Sequence, residues 1–333
     1  MSQYDVLCIG NAIVDIIARA EDAFLRENNI IRGAMNLIDA ERAELLYDRM
    51  GPAVETSGGS AGNTAAGVAS LGGTAAFFGK VSDDALGDIY RHDIRAQGVA
   101  FDTPALNGHP PTARSMIFVT PDGERSMNTY LGACVELGPE DVEEEKAAGA
   151  KVTYFEGYLW DPPRAKTAIR ETARIAHENG REVAMTLSDP FCVDRYREEF
   201  LDLMRSGTVD IVFANEEEAK SLYQTADLET AREALAADCK IAIVTRSEKG
   251  SMIINGDGTH IPIDADPVDN LVDTTGAGDL YAAGFLYGYT NGMDMQACGR
   301  LGSLAASIII QQIGPRAQVS LRQAAIDAGL IRS

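Results

Sequence analysis

Asp273-Thr274-Thr275-Gly276-Ala277-Gly278-Asp279 runs directly into the apolar stretch Leu280-Tyr281-Ala282-Ala283-Gly284-Phe285-Leu286. Small residues closed by a carboxylate and followed by a helix-forming run describe a loop that opens a helix. Amides at such a start lack intrahelical acceptors and the helix macrodipole adds positive potential, so the turn attracts anions. Glycine there lets a phosphate approach the backbone closely. Asp279 would repel a resting anion, but it is well placed to take a proton from a hydroxyl that attacks a phosphate. The plainer reading is an N-cap, for which Asp279, Thr274 or Thr275 would serve. By itself the stretch leaves both open.

Working outward, strand-like and helix-like segments alternate, which predicts a mostly parallel sheet covered by helices on both faces. Val6–Gly10, Ala75–Gly79, Lys151–Phe155, Glu182–Thr186, Ile211–Phe213 and Ile241–Val244 carry few charges, as strands buried on both sides do. An Ala/Gly-rich helix is expected over Asn63–Ser70, and another from about Pro163 to Asn179 with Gly180 as its stop. Residues 13–39 and 112–130 break the alternation. They predict a small second sheet, with Pro121-Asp122-Gly123-Glu124 as a hairpin turn. Such a sheet over the mouth of an α/β body would act as a water-excluding lid. The 333 residues thus form one domain, 1–333, with a lid inserted.

The net charge of −21 argues against a nucleic-acid partner, which calls for clustered Lys and Arg. An anionic substrate would have to be gathered by helix ends, a metal or a few placed arginines. The acidic run Glu140–Glu145 suggests a solvated helix face. The five cysteines (Cys8, Cys134, Cys192, Cys239, Cys298) are scattered, as reduced thiols of a cytoplasmic protein are. The four histidines lack zinc-ligand spacing. No signal peptide and no bilayer-spanning apolar run are visible, so no membrane partner is expected. Neither a Gly-x-x-x-x-Gly-Lys-Ser/Thr loop nor a Gly-x-Gly-x-x-Gly fingerprint occurs.

Four further groups carry candidate chemistry. Gly58-Gly59-Ser60-Ala61-Gly62-Asn63 offers backbone and neutral side chains to a hydroxyl-rich ligand; the structural alternative is close helix packing. Asn11 and Asp15 follow the first strand at the edge where open α/β sheets bind ligands; a carboxylate there could accept from two vicinal hydroxyls, or serve as a turn residue. Asn215 and Glu218 share a helix face and could hold Mg²⁺ through waters, but Asn-x-x-Glu is also a capping box. Arg125, at the lid hairpin, could close on a transferring phosphoryl group or remain a solvated charge. Met35, Met116 and Phe118 on the lid, and Tyr158 and Trp160 after a strand end, could pack on a flat base or be core.

Taken together these residues resemble the ribokinase, or phosphofructokinase-B, family of carbohydrate and nucleoside kinases. The signatures are Gly58–Asn63, Asp273–Asp279 and Asn215-x-x-Glu218, in order over Gly10 to Gly314. Gly10-Asn11-x-x-x-Asp15, Leu187–Phe191 and Arg125-Ser126 are similar to the adenosine-kinase branch. The chain departs from that branch at Ala61-Gly62 and at Tyr158-Leu159, both near the acceptor. The resemblance implies a ribokinase-like three-layer α/β/α domain with a β-sheet lid, acting alone or pairing with a second subunit's lid. It implies transfer of the γ-phosphate of ATP to a primary hydroxyl, that of the adenosine ribose or of a sugar such as fructose, ribose or 2-keto-3-deoxygluconate. A non-catalytic nucleoside or nucleotide binder is the remaining alternative. Asp279 would be the base, with Gly276, Ala277 and Gly278 as its anion hole. Asn11, Asp15, Gly59, Ser60 and Asn63 would bind the acceptor. Asn215, Thr245, Ser247 and Gly250 would line the ATP side, and Glu218 with Asn215 would orient Mg²⁺. K⁺ near Asp273 and Thr275 is compatible with the pattern.

Overall fold

The computed structural model describes residues 3–332. Its strands are β1 (Tyr4–Ile9), β2 (Ile13–Arg19), β3 (Met35–Leu37), β4 (Ala53–Ser57), β5 (Ala75–Phe78), β6 (Val99–Ala100), β7 (Ala113–Val119), β8 (Arg125–Tyr130), β9 (Ala150–Glu156), β10 (Glu182–Thr186), β11 (Ile211–Asn215), β12 (Ile241–Thr245), β13 (Ser251–Asn255) and β14 (His260–Ile263). The large sheet has the order β14-β13-β12-β11-β10-β9-β1-β5-β6. It is parallel from β12 to β6 and antiparallel at the β12-β13-β14 edge.

Successive residues of these strands serve two separate apolar cores. Val6, Cys8, Phe77 and Tyr154 point to one face, packed by the helices Ser60–Ser70 and Ala277–Thr290. Leu7, Ile9, Phe78 and Phe155 point to the other, packed by the helices Pro163–Glu178 and Pro190–Arg205. The period-2 pleat thus builds a three-layer α/β/α body from strands that are apolar on both faces. The helix Pro163–Glu178 starts on proline, ends at Asn179 and is followed by Gly180 at φ 65°, as a left-handed C-terminal residue requires.

The second sheet is present, with the order β3-β8-β7-β2-β4. β7 and β8 form the expected hairpin, closed by Gly123 N–H donating to Thr120 O at 2.8 Å. The sequence reading missed β4, whose polar Glu55 and Thr56 hide its strand character; it pairs with β2 and ends at the glycine loop. The chain therefore passes between body and lid four times, at residues 10–12, at 58–59, at 101–112 and after Tyr130. The acidic run also differs from expectation, because Asp141 is buried in an ion pair with Lys80. Among the described residues no helix is long and apolar enough to cross a membrane.

Candidate active site

β1 lies between β9 and β5, so the chain departs from it in opposite directions. That switch point opens a crevice at the carboxyl edge of the sheet. Gly10 and Asn11 stand there, beside Glu156 at the end of β9. Glu156 was not singled out from the sequence. It is buried and accepts from Asn11 N–H (3.0 Å), Asn11 Nδ2 (2.6 Å) and Ala61 N–H (2.7 Å). Burial pushes its carboxyl up to about 7 in spite of these donors.

Two small-residue helices meet above the crevice. A Cβ on Gly67 would lie 2.5 Å from Ala283 Cβ, so glycine is what lets them touch. The close approach brings the Gly58–Asn63 loop onto Asp279. Ser60 Oγ donates to Asp279 Oδ1 at 2.6 Å, Asn63 Nδ2 to Oδ2 at 2.8 Å, and Thr64 Oγ1 to the Asp279 carbonyl at 3.1 Å. Ser60 and Asn63, expected to face an acceptor, thus hold the carboxylate. Burial raises the Asp279 pKa, opposed by these donors and by Arg316. Gly59, at φ 83°, could not carry a Cβ without striking the Asn11 carbonyl oxygen.

Gly276 caps the helix Ala277–Thr290 in the left-handed conformation, φ 80°. The amides of Gly276, Gly278 and Asp279 have no protein acceptor among the described residues, whereas Ala277 N–H turns back to Thr274 O at 3.2 Å. Of the expected trio Gly276, Ala277 and Gly278, two amides are thus free, and Asp279 offers a further free one.

Asp15 lies on the lid strand β2, its carboxylate against Gly58. No described donor bonds to it, and burial, opposed by Arg316 and Arg125, pushes it up to about 7. It is a buried acceptor lacking donors. Arg125 is buried rather than solvated. Its Nη2 lies 2.6 Å from Asp273 Oδ2, with side chains 6% and 5% exposed. Asp273 also accepts from Thr275 N–H and Gly314 N–H, each at 3.0 Å. The Asp273 carboxylate, expected beside K⁺ with Thr275, is shared here by a guanidinium and two backbone amides.

On the other side of the crevice Asn215 and Thr245 are register partners at the ends of β11 and β12. Asn215 and Glu218 form a capping box: Glu218 N–H donates to Asn215 Oδ1 (2.8 Å), and Glu218 accepts from Asn215 N–H (2.9 Å) and Nδ2 (2.6 Å). Glu218 is buried and pushed up to about 7, by burial and by the charges of Asp189 and Asp279. Both Glu218 oxygens are taken up by Asn215 in this box, so Glu218 would meet a divalent ion carried by phosphates through its waters rather than directly. Ser247 is exposed in a turn closed by Gly250 N–H on Ser247 O (3.0 Å). Gly250 is held to glycine by the Ile263 carbonyl.

The lid residues separate by pleat. Asp15, Ile17, Ser115, Ile117, Arg125, Met127, Met35 and Leu37 share the face turned to the body, by register. Met116 and Phe118 are on the opposite face, wholly buried, with the Phe118 ring 5.0 Å from Phe24. Met116, expected at the acceptor, is therefore core, whereas Met127 stands on the face turned to the body. Trp160 is core as well, donating to Glu199 at 2.8 Å. Tyr158 follows the end of β9, as expected, and its hydroxyl donates to Ser188 O at 3.2 Å next to the end of β10.

Like Glu156, one further residue escaped the sequence reading. Arg316 projects into the loop beside Asp279 and donates to Ser57 O (3.1 Å), Ser57 Oγ (3.1 Å), Gly58 O (3.4 Å) and Gly62 O. No motif spacing marks it; only the preceding Gly314-Pro315 hints at a special turn.

The profile described as pfkB family carbohydrate kinase matches residues 4–322. The chain belongs to this family. It is a phosphotransferase acting on an alcohol group. Among solved structures, this pfkB kinase is 71% identical to the adenosine kinase of Sinorhizobium meliloti, with a TM-score of 0.94 over 98% of this chain and 100% of that one. It is 69% identical to a probable sugar kinase from Rhizobium etli CFN 42, with a TM-score of 0.95 over 99% and 100%. The adenosine kinase of Dictyostelium discoideum is 30% identical, over 94% of this chain and 96% of its own.

Proposed function

We propose that this pfkB kinase transfers the γ-phosphate of ATP to the 5′-hydroxyl of adenosine, giving AMP and ADP. The observation that carries the reading is the divided face of the lid. Its inner end presents Asp15, an acceptor without donors, to a pair of vicinal hydroxyls. Its outer end presents Ile17, Met127, Met35 and Leu37, with Met35 39% and Leu37 51% exposed. A polar end for ribose and an uncovered apolar strip for a flat base match a nucleoside, whereas a sugar leaves the strip without purpose. The likeness to an adenosine kinase at 71% identity supports it.

In this reading Asp279 takes the proton of the 5′-hydroxyl as its oxygen bonds to the γ-phosphorus, and the bond from that phosphorus to the β–γ bridging oxygen breaks. The free amides of Gly276, Gly278 and Asp279 meet the charge that gathers on the γ-phosphoryl oxygens. Ser60 and Asn63 keep Asp279 aimed and ionised. Asn215 and Thr245 border the nucleotide. Glu218 and Asn215 would orient the waters of a Mg²⁺ ion carried in with ATP, which would supply neutralisation of phosphate charge. The test is ADP release with Mg-ATP against adenosine, other nucleosides, ribose, fructose and 2-keto-3-deoxygluconate. Turnover of micromolar adenosine with sugars silent is the expected result. Turnover of a sugar with adenosine inert would overturn the choice of acceptor while leaving the Asp279 chemistry in place.

A further inference from the structure

Gly314-Pro315-Arg316 runs between the two glycine-rich loops and touches both. Gly314 N–H donates to Asp273, at the start of the anion-hole turn. Pro315 lies where a Cβ on Gly276 would meet it at 2.9 Å. Arg316 binds Ser57, Gly58 and Gly62 on the opposite loop. Ser57 is wholly buried, and it is drawn from its other side by Asp93, which accepts from Ser57 N–H at 2.8 Å.

Every partner of the Arg316 guanidinium is a neutral oxygen, and no described carboxylate reaches ion-pair distance. Only a fork of fixed geometry can bind acceptors on three residues of a tight turn at once; a lysine ammonium is a single point. We infer that Arg316 is a positioning residue for the phosphate acceptor: its fork sets the Ser57–Gly62 loop against Asp279 and Asp15. The inference rests on the kinase reading above, though not on which hydroxyl compound is the acceptor.

The unpaired charge has a second effect. Tyr90 and Asp93 of the helix Ala85–Ala96, Asp15 of β2 and Asp279 all face Arg316. Arg125, Arg316 and Asp279 are the charged groups around Asp15. Cys8, Tyr154, Glu156 and Glu218 also feel the charge of Asp279. Arg316 favours the ionised forms of both carboxyls. Without it, each would stay protonated to higher pH, and the acidic limb of the rate profile would move up.

The experiment compares Arg316→Gln and Arg316→Lys with the wild type, using whichever acceptor the panel above identifies, together with calorimetric binding of adenosine. For Arg316→Gln the expected result is a tenfold or greater rise in acceptor KM, ATP KM within twofold, and an acidic limb displaced to higher pH. Arg316→Lys should restore the limb but only part of the KM, since it keeps the charge and loses the fork. If Arg316→Gln does not fold, Ser57→Ala removes one of the four bonds and should raise acceptor KM two- to fourfold. Acceptor KM within twofold of wild type in the folded Arg variants, or KM values for ATP and acceptor rising in proportion, would overturn the inference. A wild type that turns over a sugar and not adenosine would fail the substrate reading alone.

Discussion

Ser60 and Asn63 each spend a donor on Asp279, so the proposed base is held at both oxygens before any substrate arrives. General bases of this kind contribute about 10²–10⁴-fold, so Asp279→Asn should lower kcat by about 10³-fold while ATP binding, measured by calorimetry, stays within a few-fold. Near-normal kcat would remove Asp279 from the mechanism. Arg125 is buried against Asp273 with its three guanidinium nitrogens lacking well-aligned hydrogen bonds. Such a group gains from a new anionic partner, because unpaired buried donors are costly. Arg125→Ala should therefore reduce kcat about 10²-fold with little change in adenosine KM. A change confined to KM would make Arg125 a ground-state binder instead.

At the scale of the element, the lid strands turn two methionines eleven residues apart in opposite directions. Met127 pairs with Ile117 on the inner face, and Met116 pairs with Asn128 on the outer. Met116→Ala should cost about 2–5 kcal/mol of stability through the cavity it leaves, with acceptor KM nearly unchanged in the folded fraction. Met127→Asp should do the reverse: a small loss in Tm and a rise of tenfold or more in adenosine KM, because a carboxylate would be desolvated against the base. Equal effects of the two substitutions on KM would contradict the assignment of faces. The sequence reading offered Met116, with Met35, to the base and passed over Met127, because it recognised two strands without their register. A shift of one residue exchanges the faces of a strand.

For the molecule as a whole, the crevice concentrates carboxyls that burial holds above their ordinary range. Asp15, Glu156 and Glu218 all stand near 7. A carboxyl that binds its proton more tightly folded than unfolded makes folding most favourable at low pH, and that contribution is lost as pH rises from about 4 to 7. Asp5, Asp84 and Asp93 are shifted the other way by donors and cations, and their contribution is lost only below about pH 4. Tm of the ligand-free protein should therefore be highest near pH 5 and fall towards pH 8, as a calorimetric series would show. A Tm that rises steadily through that window would contradict the burial of these three groups as charged-site carboxyls.

Local chemistry in the sequence determined most of the body. Doubly apolar strands, a proline-started and glycine-stopped helix, a hairpin turn and a Gly-rich helix entry each record a short-range preference that folding leaves intact. Asp279 was legible for the same reason, since its turn and its helix are contiguous. Tertiary structure alone decided what joins distant segments. It made Glu156 an anchor for Asn11 and Ala61, put Arg125 on Asp273, turned Ala277 N–H back to Thr274, and sent Arg316 across 254 residues to Gly62. Hydrogen bonds and ion pairs between remote residues leave no period and no spacing in a sequence. They exist only once the sheet order and the strand register have brought the partners to the same edge.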